Sequence, residues 1–339
     1  MIHPTRREFL QRAALLPLGT ALANSLLAAG ASPPSSSSSQ PPSAPTLPDA
    51  NAPSHPPLRR VGGAKLKLSL NAFSFNPQLQ NHLADKSPAM SLFECLEFCA
   101  EHDFEAIDPT GYYFPGYPDV PTDAYLNEFK RRAHLLGLDI SGTGIRNDFA
   151  QPDPAARAAD IRRAKAWIEV AAKMGAPVLR VFAGAVPKGY ENDWDTPAAW
   201  MIDALRECAE HGAKHGVLIG VQNHGDMLQT ADRTIEVVKR VDSDWFGVIV
   251  DTGNMMTPDP YDDIARVVPY AVNWQIKESP RGPNSPERTD LPRLIKIIRD
   301  AGYRGYIPIE TLAARDKPYD PYQLVPAFAA EVRAAIEGL

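Results

Sequence analysis

From residue 65 to the carboxyl end, the chain alternates between short apolar runs and longer amphipathic stretches, with no linker-like break. Eight runs read as buried strands, at 65–70, 104–107, 138–142, 177–182, 217–222, 246–251, 271–278 and 306–310. Helical periodicity fills the stretches 91–102, 123–136, 154–174, 197–215, 231–241, 261–268, 291–301 and 324–336. A long loop carrying His82 is expected after Asn76, and the aromatic, proline-rich insertion 111–120 reads as a stiff loop. Eight strand–helix units, recurring roughly every 30 to 40 residues, are the count of an α/β protein built as a (β/α)8 TIM barrel. A doubly wound sheet is the rival, but it has no need of eight units, and no G-x-G-x-x-G loop is present.

The residues before this alternation are of another kind. Arg6-Arg7 precedes a mostly apolar stretch, 13–29, that ends in Ala29-Gly30-Ala31, so residues 1–31 read as a twin-arginine export signal. The run is interrupted by Pro17, Gly19 and Asn24 and falls short of the roughly 20 apolar residues of a membrane span, so no stable membrane insertion is expected after cleavage. The expected location is the periplasm or beyond. Residues 32–60 hold nine prolines and eight serines in 29 positions, a composition that cannot offset its ordering entropy and reads as a disordered spacer. The barrel domain is thus 61–339. A formal charge of −6 gives no support for nucleic acid as a partner. Three cysteines, Cys95, Cys99 and Cys208, do not make a disulfide scaffold and read as buried thiols.

Four of the expected strands deliver polar groups at their carboxyl ends: Gln222, Asp251, Gln275 and Glu310. In a closed barrel those ends converge on one mouth, where the active sites of this fold lie. Two carboxylates and two amide oxygens could hold a divalent cation such as Mn, Zn, Mg or Co. Arg180 and Lys277 can line the same mouth, either holding substrate oxygens or compensating the carboxylates. The alternative is a polar network whose members hydrogen-bond one another without a metal.

The motifs VQNH at 221–224, DTGN at 251–254, QIKE at 275–278 and IET at 309–311 are more specific. With them, the chain from Leu66 to its last helix resembles the sugar isomerase/epimerase family of xylose-isomerase-like TIM barrels, a superfamily that also contains endonuclease IV. In that family a metal is typically held by glutamate, aspartate, histidine and glutamate at the ends of strands five to eight. Asp251 and Glu310 match. Gln222 stands where a glutamate is expected, Gln275 where a histidine is expected, and Asn254 where a further histidine often follows. The resemblance implies proton transfer beside a carbonyl, with the two glutamates as acid and base. An amide cannot take up that proton, so Glu310 is the remaining base, His224 the substitute for its partner, and Lys277 a third catalytic candidate.

For substrate, Asp108, Arg146, Arg180 and Asn223 can meet hydroxyls, while Tyr113 and Trp194, with Tyr112, Phe114 and Tyr117, can stack on sugar rings. Export from the cytosolic sugar-phosphate pool favours a non-phosphorylated sugar or sugar derivative. The expected activity is a metal-dependent isomerase or epimerase. A lyase eliminating the aglycone of a 3-keto-glycoside and a non-catalytic saccharide-binding barrel are the alternatives. An endonuclease would need a histidine-rich cluster and a basic face, and a glycoside hydrolase two suitably spaced carboxyl groups.

Overall fold

The computed structural model describes residues 56–225, 227–280, 287–312 and 318–338. The export-signal reading and most of the spacer therefore lie outside the described residues. Nine strand segments are present: β1 (Lys65–Asn71), β2 (Ala106–Asp108), β3 (Asp139–Ile140), β4 (Thr143–Gly144), β5 (Val178–Phe182), β6 (Leu218–Gln222), β7 (Phe246–Asp251), β8 (Ala271–Lys277) and β9 (Arg304–Glu310). They pair in parallel in the order β3-β2-β1-β9-β8-β7-β6-β5-β4. Of the two end segments, β3 lies within the third expected strand, 138–142, and β4 lies just beyond its end, so the TIM barrel closes through a strand interrupted at residues 141–142. Glycine stands at the interruption. A Cβ on Gly142 would lie 2.9 Å from Asn273 Nδ2 and 3.0 Å from Asp108 Oδ2, so polar side chains inside the barrel crowd the backbone there.

Nine α-helices are described: α1 (Asn76–Leu83), α2 (Leu92–Glu101), α3 (Asp123–Leu135), α4 (Pro154–Met174), α5 (Asp195–His215), α6 (Ala231–Val241), α7 (Pro260–Val267), α8 (Leu291–Asp300) and α9 (Pro321–Glu337). The helix α1 corrects the expectation of a long loop around His82. Its sequence, NPQLQNHL, is too polar to show a face, and it buries only Gln78 and Leu79. Proline at its first turn is compatible with a helix start. The stretch 111–120, expected as a stiff loop, opens with a 3-10 turn at Gly111–Tyr113. At several helix ends local signals and structure agree. Ser91 and Glu94 form a reciprocal capping box on α2. Gly175 and Gly216 end α4 and α5 at φ 81° and 70°, a left-handed turn that glycine makes without strain.

Between helices and barrel lies an apolar core in which Trp167, Phe114 and Phe129 are fully buried. Inside the barrel the lower layer is polar. Ser69 and Ser141 share a 2.7 Å hydrogen bond, and Asn273 Nδ2 donates to Ser141 O at 3.1 Å and to Asp108 Oδ2 at 3.3 Å. The three cysteines are free and buried. At the other end of the chain, Leu58 donates to Pro269 O, and Arg60 donates to the carbonyls of Val268 and Ala271. The chain is therefore held to the barrel three residues before the expected domain start. Among the described residues no helix is long and apolar enough to cross a membrane.

Candidate active site at the barrel mouth

Parallel strand register, more than any loop, assembles the site. Asp251 on β7 lies beside Gln275 on β8, and Lys277 on β8 lies beside Glu310 on β9. Side chains alternate along a strand, so Gln275 and Lys277 share the inward face of β8 with Asn273. Lys277, on the central strand of three, stands between the carboxylates of its neighbours. Its Nζ bonds Glu310 Oε1 and lies 3.4 Å from Asp251 Oδ2. All three side chains are nearly inaccessible, and pairing compensates charges that would be costly to bury alone.

Gln222, at the end of β6, donates its Nε2 to Asp251 Oδ2 at 2.5 Å and to Gln275 Oε1 at 2.7 Å. Gln222 thus turns its NH2 toward Asp251 and its oxygen away. The Asp251 Oδ1 accepts from Gly253 N at 2.9 Å. Asn223 exchanges a pair of hydrogen bonds with the Asp251 backbone, at 2.7 and 2.9 Å, and fastens the ends of β6 and β7 together.

These groups edge a cavity of about 170 Å³. Its polar lining includes Gln222, Gln275, Lys277, Glu310, Arg180, His224 and Asn254, and its apolar lining includes Phe73, Tyr112 and Phe182. Arg180 is a fixed cation there. Its guanidinium donates to Ile145 O at 2.8 Å and to the Tyr112 hydroxyl at 2.5 Å, and it lies over the Phe182 ring. Its position depends on Gly144, where a Cβ would come within 2.6 Å of Arg180 Nε. The His224 ring packs 4.8 Å from Phe182.

Two carboxyl groups in this region titrate high. Burial pushes Glu310 above its ordinary range; the Asp251 charge adds to that rise, and Lys277 and Arg180 oppose it. Burial raises Asp108 to about 7 against the pull of Arg180, with Glu310 adding to the rise.

The other expected substrate contacts are dispersed. Asp108 is held by Asn273 in the polar layer below the cavity. Asn223 is fully buried in its strand-fastening role. Tyr113 is buried and donates its hydroxyl to Asn76 Oδ1 at 2.8 Å; its neighbour Tyr112 is the one that reaches the cavity. Trp194 donates Nε1 to Met227 O and stacks against Arg233, away from this lining. Arg146 instead edges a second cavity of about 560 Å³, with Asn76, Gln80, Phe114 and Tyr117. Tyr112 lines both cavities. Asn71, Thr110 and Leu312 complete the first. Asn71 ends its strand as the other site residues do, which is the signal that could have found it.

The proposed ligand set does not fit a divalent cation as it is arranged. Gln222 offers an N–H where an oxygen is needed, and an ammonium already contacts both carboxylates. A different group of residues is closer to a metal-binding arrangement. Glu169 on α4 and His211 and His215 on α5 bring their ligand atoms within 4.8 Å of one another at the surface.

None of the curated proteins is similar enough in sequence to count as a relative. Among solved structures, D-psicose 3-epimerase from Clostridium cellulolyticum is similar with a TM-score of 0.66 and 16% identity, covering 80% of this chain and 99% of that one. The 3-keto-D-glucoside 4-epimerase from E. coli gives 0.62 and 15%, covering 80% and 100%. A xylose isomerase-like protein from Mycobacterium smegmatis, solved in complex with magnesium, gives 0.60 and 20%, covering 80% and 97%. At these identities the likeness is one of fold. Residues 96–333 match the family described as xylose isomerase-like TIM barrel, and the chain belongs to that family.

Proposed function

We propose that this protein is an isomerase- or epimerase-like enzyme that moves a proton at a carbon next to a carbonyl of a non-phosphorylated sugar or sugar derivative. The observation that carries this reading is the buried Glu310 carboxylate, in contact with the Lys277 ammonium at the edge of a cavity that Arg180 also lines. A carboxyl raised above its ordinary range by burial is suited to general-base work. In the proposed step Glu310 takes the proton. The C–H electrons form a carbon–carbon double bond, and the carbonyl oxygen gains negative charge facing Lys277 and Arg180. Return of the proton to the former carbonyl carbon, while the hydroxyl proton of the neighbouring carbon passes to the oxyanion, gives the isomer; return to the original carbon from the opposite face gives the epimer. Gln222 has no basic group, so a symmetric two-base inversion would have to recruit His224.

Support comes from the sugar epimerases among the structural neighbours and from the twin-arginine pattern of the amino terminus, which argues for export away from phosphorylated sugars. The second cavity favours one further reading. It adjoins the first through Tyr112 and suits the additional group of a glycoside. On a 3-keto-glycoside the same proton abstraction would be followed by departure of the aglycone with its bonding electron pair.

The test is incorporation of solvent deuterium next to the carbonyl, followed by NMR across keto-sugars and 3-keto-glycosides. Glu310→Gln should lower incorporation by about 10²–10⁴-fold. Incorporation at the wild-type rate in that variant would remove Glu310 as the base. Saturable sugar binding without exchange would instead identify a saccharide-binding barrel.

A further inference from the structure

The replacements in the strand-end set follow a pattern. A carboxylate at position 222 would sit 2.5 Å from Asp251, where two negative charges repel unless a cation lies between them. The amide of Gln222 turns that repulsion into a hydrogen bond, and the amide oxygen of Gln275 accepts the second N–H. Positive charge is supplied from the chain itself, because Lys277 reaches from the central strand to the carboxylates on both sides. Room for that lysine is built in. A Cβ on Gly253 would lie 2.7 Å from Lys277 Cγ and 3.3 Å from its Cβ, so the glycine of the DTGN motif makes space for the lysine stem. Thr252 Oγ1 then accepts from the Lys277 backbone N–H at 2.9 Å and fixes the start of that stem.

We propose that the Lys277 ammonium is the resident cation of this site, taking between Asp251 and Glu310 the place of a divalent metal ion. This deepens the proton-transfer reading and rests on it for one point: the oxygen that gains charge is met by an ammonium on the protein. An ammonium differs from a divalent ion in what it can do there. It donates hydrogen bonds and carries one charge instead of two, so it favours a substrate oxygen that can accept from it, and it cannot be removed by chelation.

The test is metal binding by the mature protein carrying His211→Ala and His215→Ala, which removes the surface histidines as a competing site. Mn²⁺, Mg²⁺, Zn²⁺ and Co²⁺ are titrated by calorimetry, with bound metal measured after dialysis. The expected result is no stoichiometric binding of any of the four. One equivalent of bound ion that is lost on Asp251→Asn would overturn the proposal. Lys277→Gln in the same background, its fold checked by circular dichroism, should bind Mn²⁺ at least tenfold more tightly than its parent. A folded Lys277→Gln protein that binds no better would show that the ammonium is not what holds the place. Neither readout uses turnover, so failure here is separate from failure of the deuterium-exchange test.

Discussion

Two groups of polar residues in this barrel invite comparison. The strand-end cluster of Gln222, Asp251, Gln275 and Glu310 has the position at which this family's metal sites are expected, yet it is closed on itself by hydrogen bonds and by Lys277. The cluster of Glu169, His211 and His215 has two imidazoles and a carboxylate within ligand reach of one another, but lies on the outer face of two helices. One has the address and the other has the donors. The difference separates a site's place in a fold from its donor chemistry. Two amides and a lysine are enough to change what the address can hold.

The largest effect is expected where the mouth is pushed back toward the family pattern. Gln222→Glu puts a second carboxylate against Asp251 in a buried setting, and should destabilise the apo protein by about 3–5 kcal/mol, the usual cost of an uncompensated buried charge. Denaturant melts with and without Mn²⁺ sharpen the comparison, because the variant should regain part of that loss with the ion while the parent does not respond. A variant as stable as the parent in the absence of metal would mean that the amide is not needed to hold Asp251.

Asp108 gives a smaller, pH-dependent effect. Its folded pKa of about 7 lies above the ordinary carboxyl value of 3.8, so the native state holds this proton more tightly than the unfolded chain does. The stability it contributes is fullest below about pH 4 and falls as the pH climbs to about 7, by a few kcal/mol at most. Glu310 is shifted in the same direction and steepens the fall. Asp108→Asn should flatten the curve of stability against pH in that window. An unchanged slope would acquit Asp108.

Gly253→Ala comes next. The added methyl meets the Lys277 stem at 2.7 Å, and overpacking of this kind costs about 1–3 kcal/mol. Deuterium exchange should fall further than stability alone explains, because the ammonium moves relative to Glu310. Normal exchange with normal stability would show that the stem has space to spare.

The fold was largely legible because the alternation of strand and helix has one closed solution. Asp251, Gln275, Lys277 and Glu310 came with it, since strand ends converge once the barrel closes. The polar helix α1 was not legible: NPQLQNHL lacks the apolar periodicity on which such a reading depends. The split third strand was equally hidden, because the side chains that lie against the backbone at Gly142, Asn273 and Asp108, are distant from it in sequence. Within the site, the sequence offers Lys277 as a lining residue but carries no sign that its Nζ reaches both carboxylates. That follows from register between β7, β8 and β9. Trp194 shows the opposite failure. An aromatic residue after a strand was available for sugar stacking, but Arg233 and the Met227 carbonyl hold it elsewhere.

The outer cluster tests the other half of the comparison and should give the smallest effect. His211 and His215 are one turn apart on α5, with ring centroids 4.5 Å apart, and His211 Nε2 is 3.2 Å from Glu169 Oε1 on the neighbouring helix. Imidazole and carboxylate suit Zn²⁺, and an ion there would tie α4 to α5. Free zinc at a few times its dissociation constant should stabilise the parent by about 1 kcal/mol, as ligand linkage requires. With His211→Ala that response should vanish, while metal-free stability moves by no more than about 0.5 kcal/mol, as for most surface substitutions. Deuterium exchange should be untouched, because these side chains project from the outer helices and none of them lines the mouth cavity. A zinc response that survives His211→Ala and disappears with Asp251→Asn would reverse the comparison, giving the donors as well as the address to the barrel mouth.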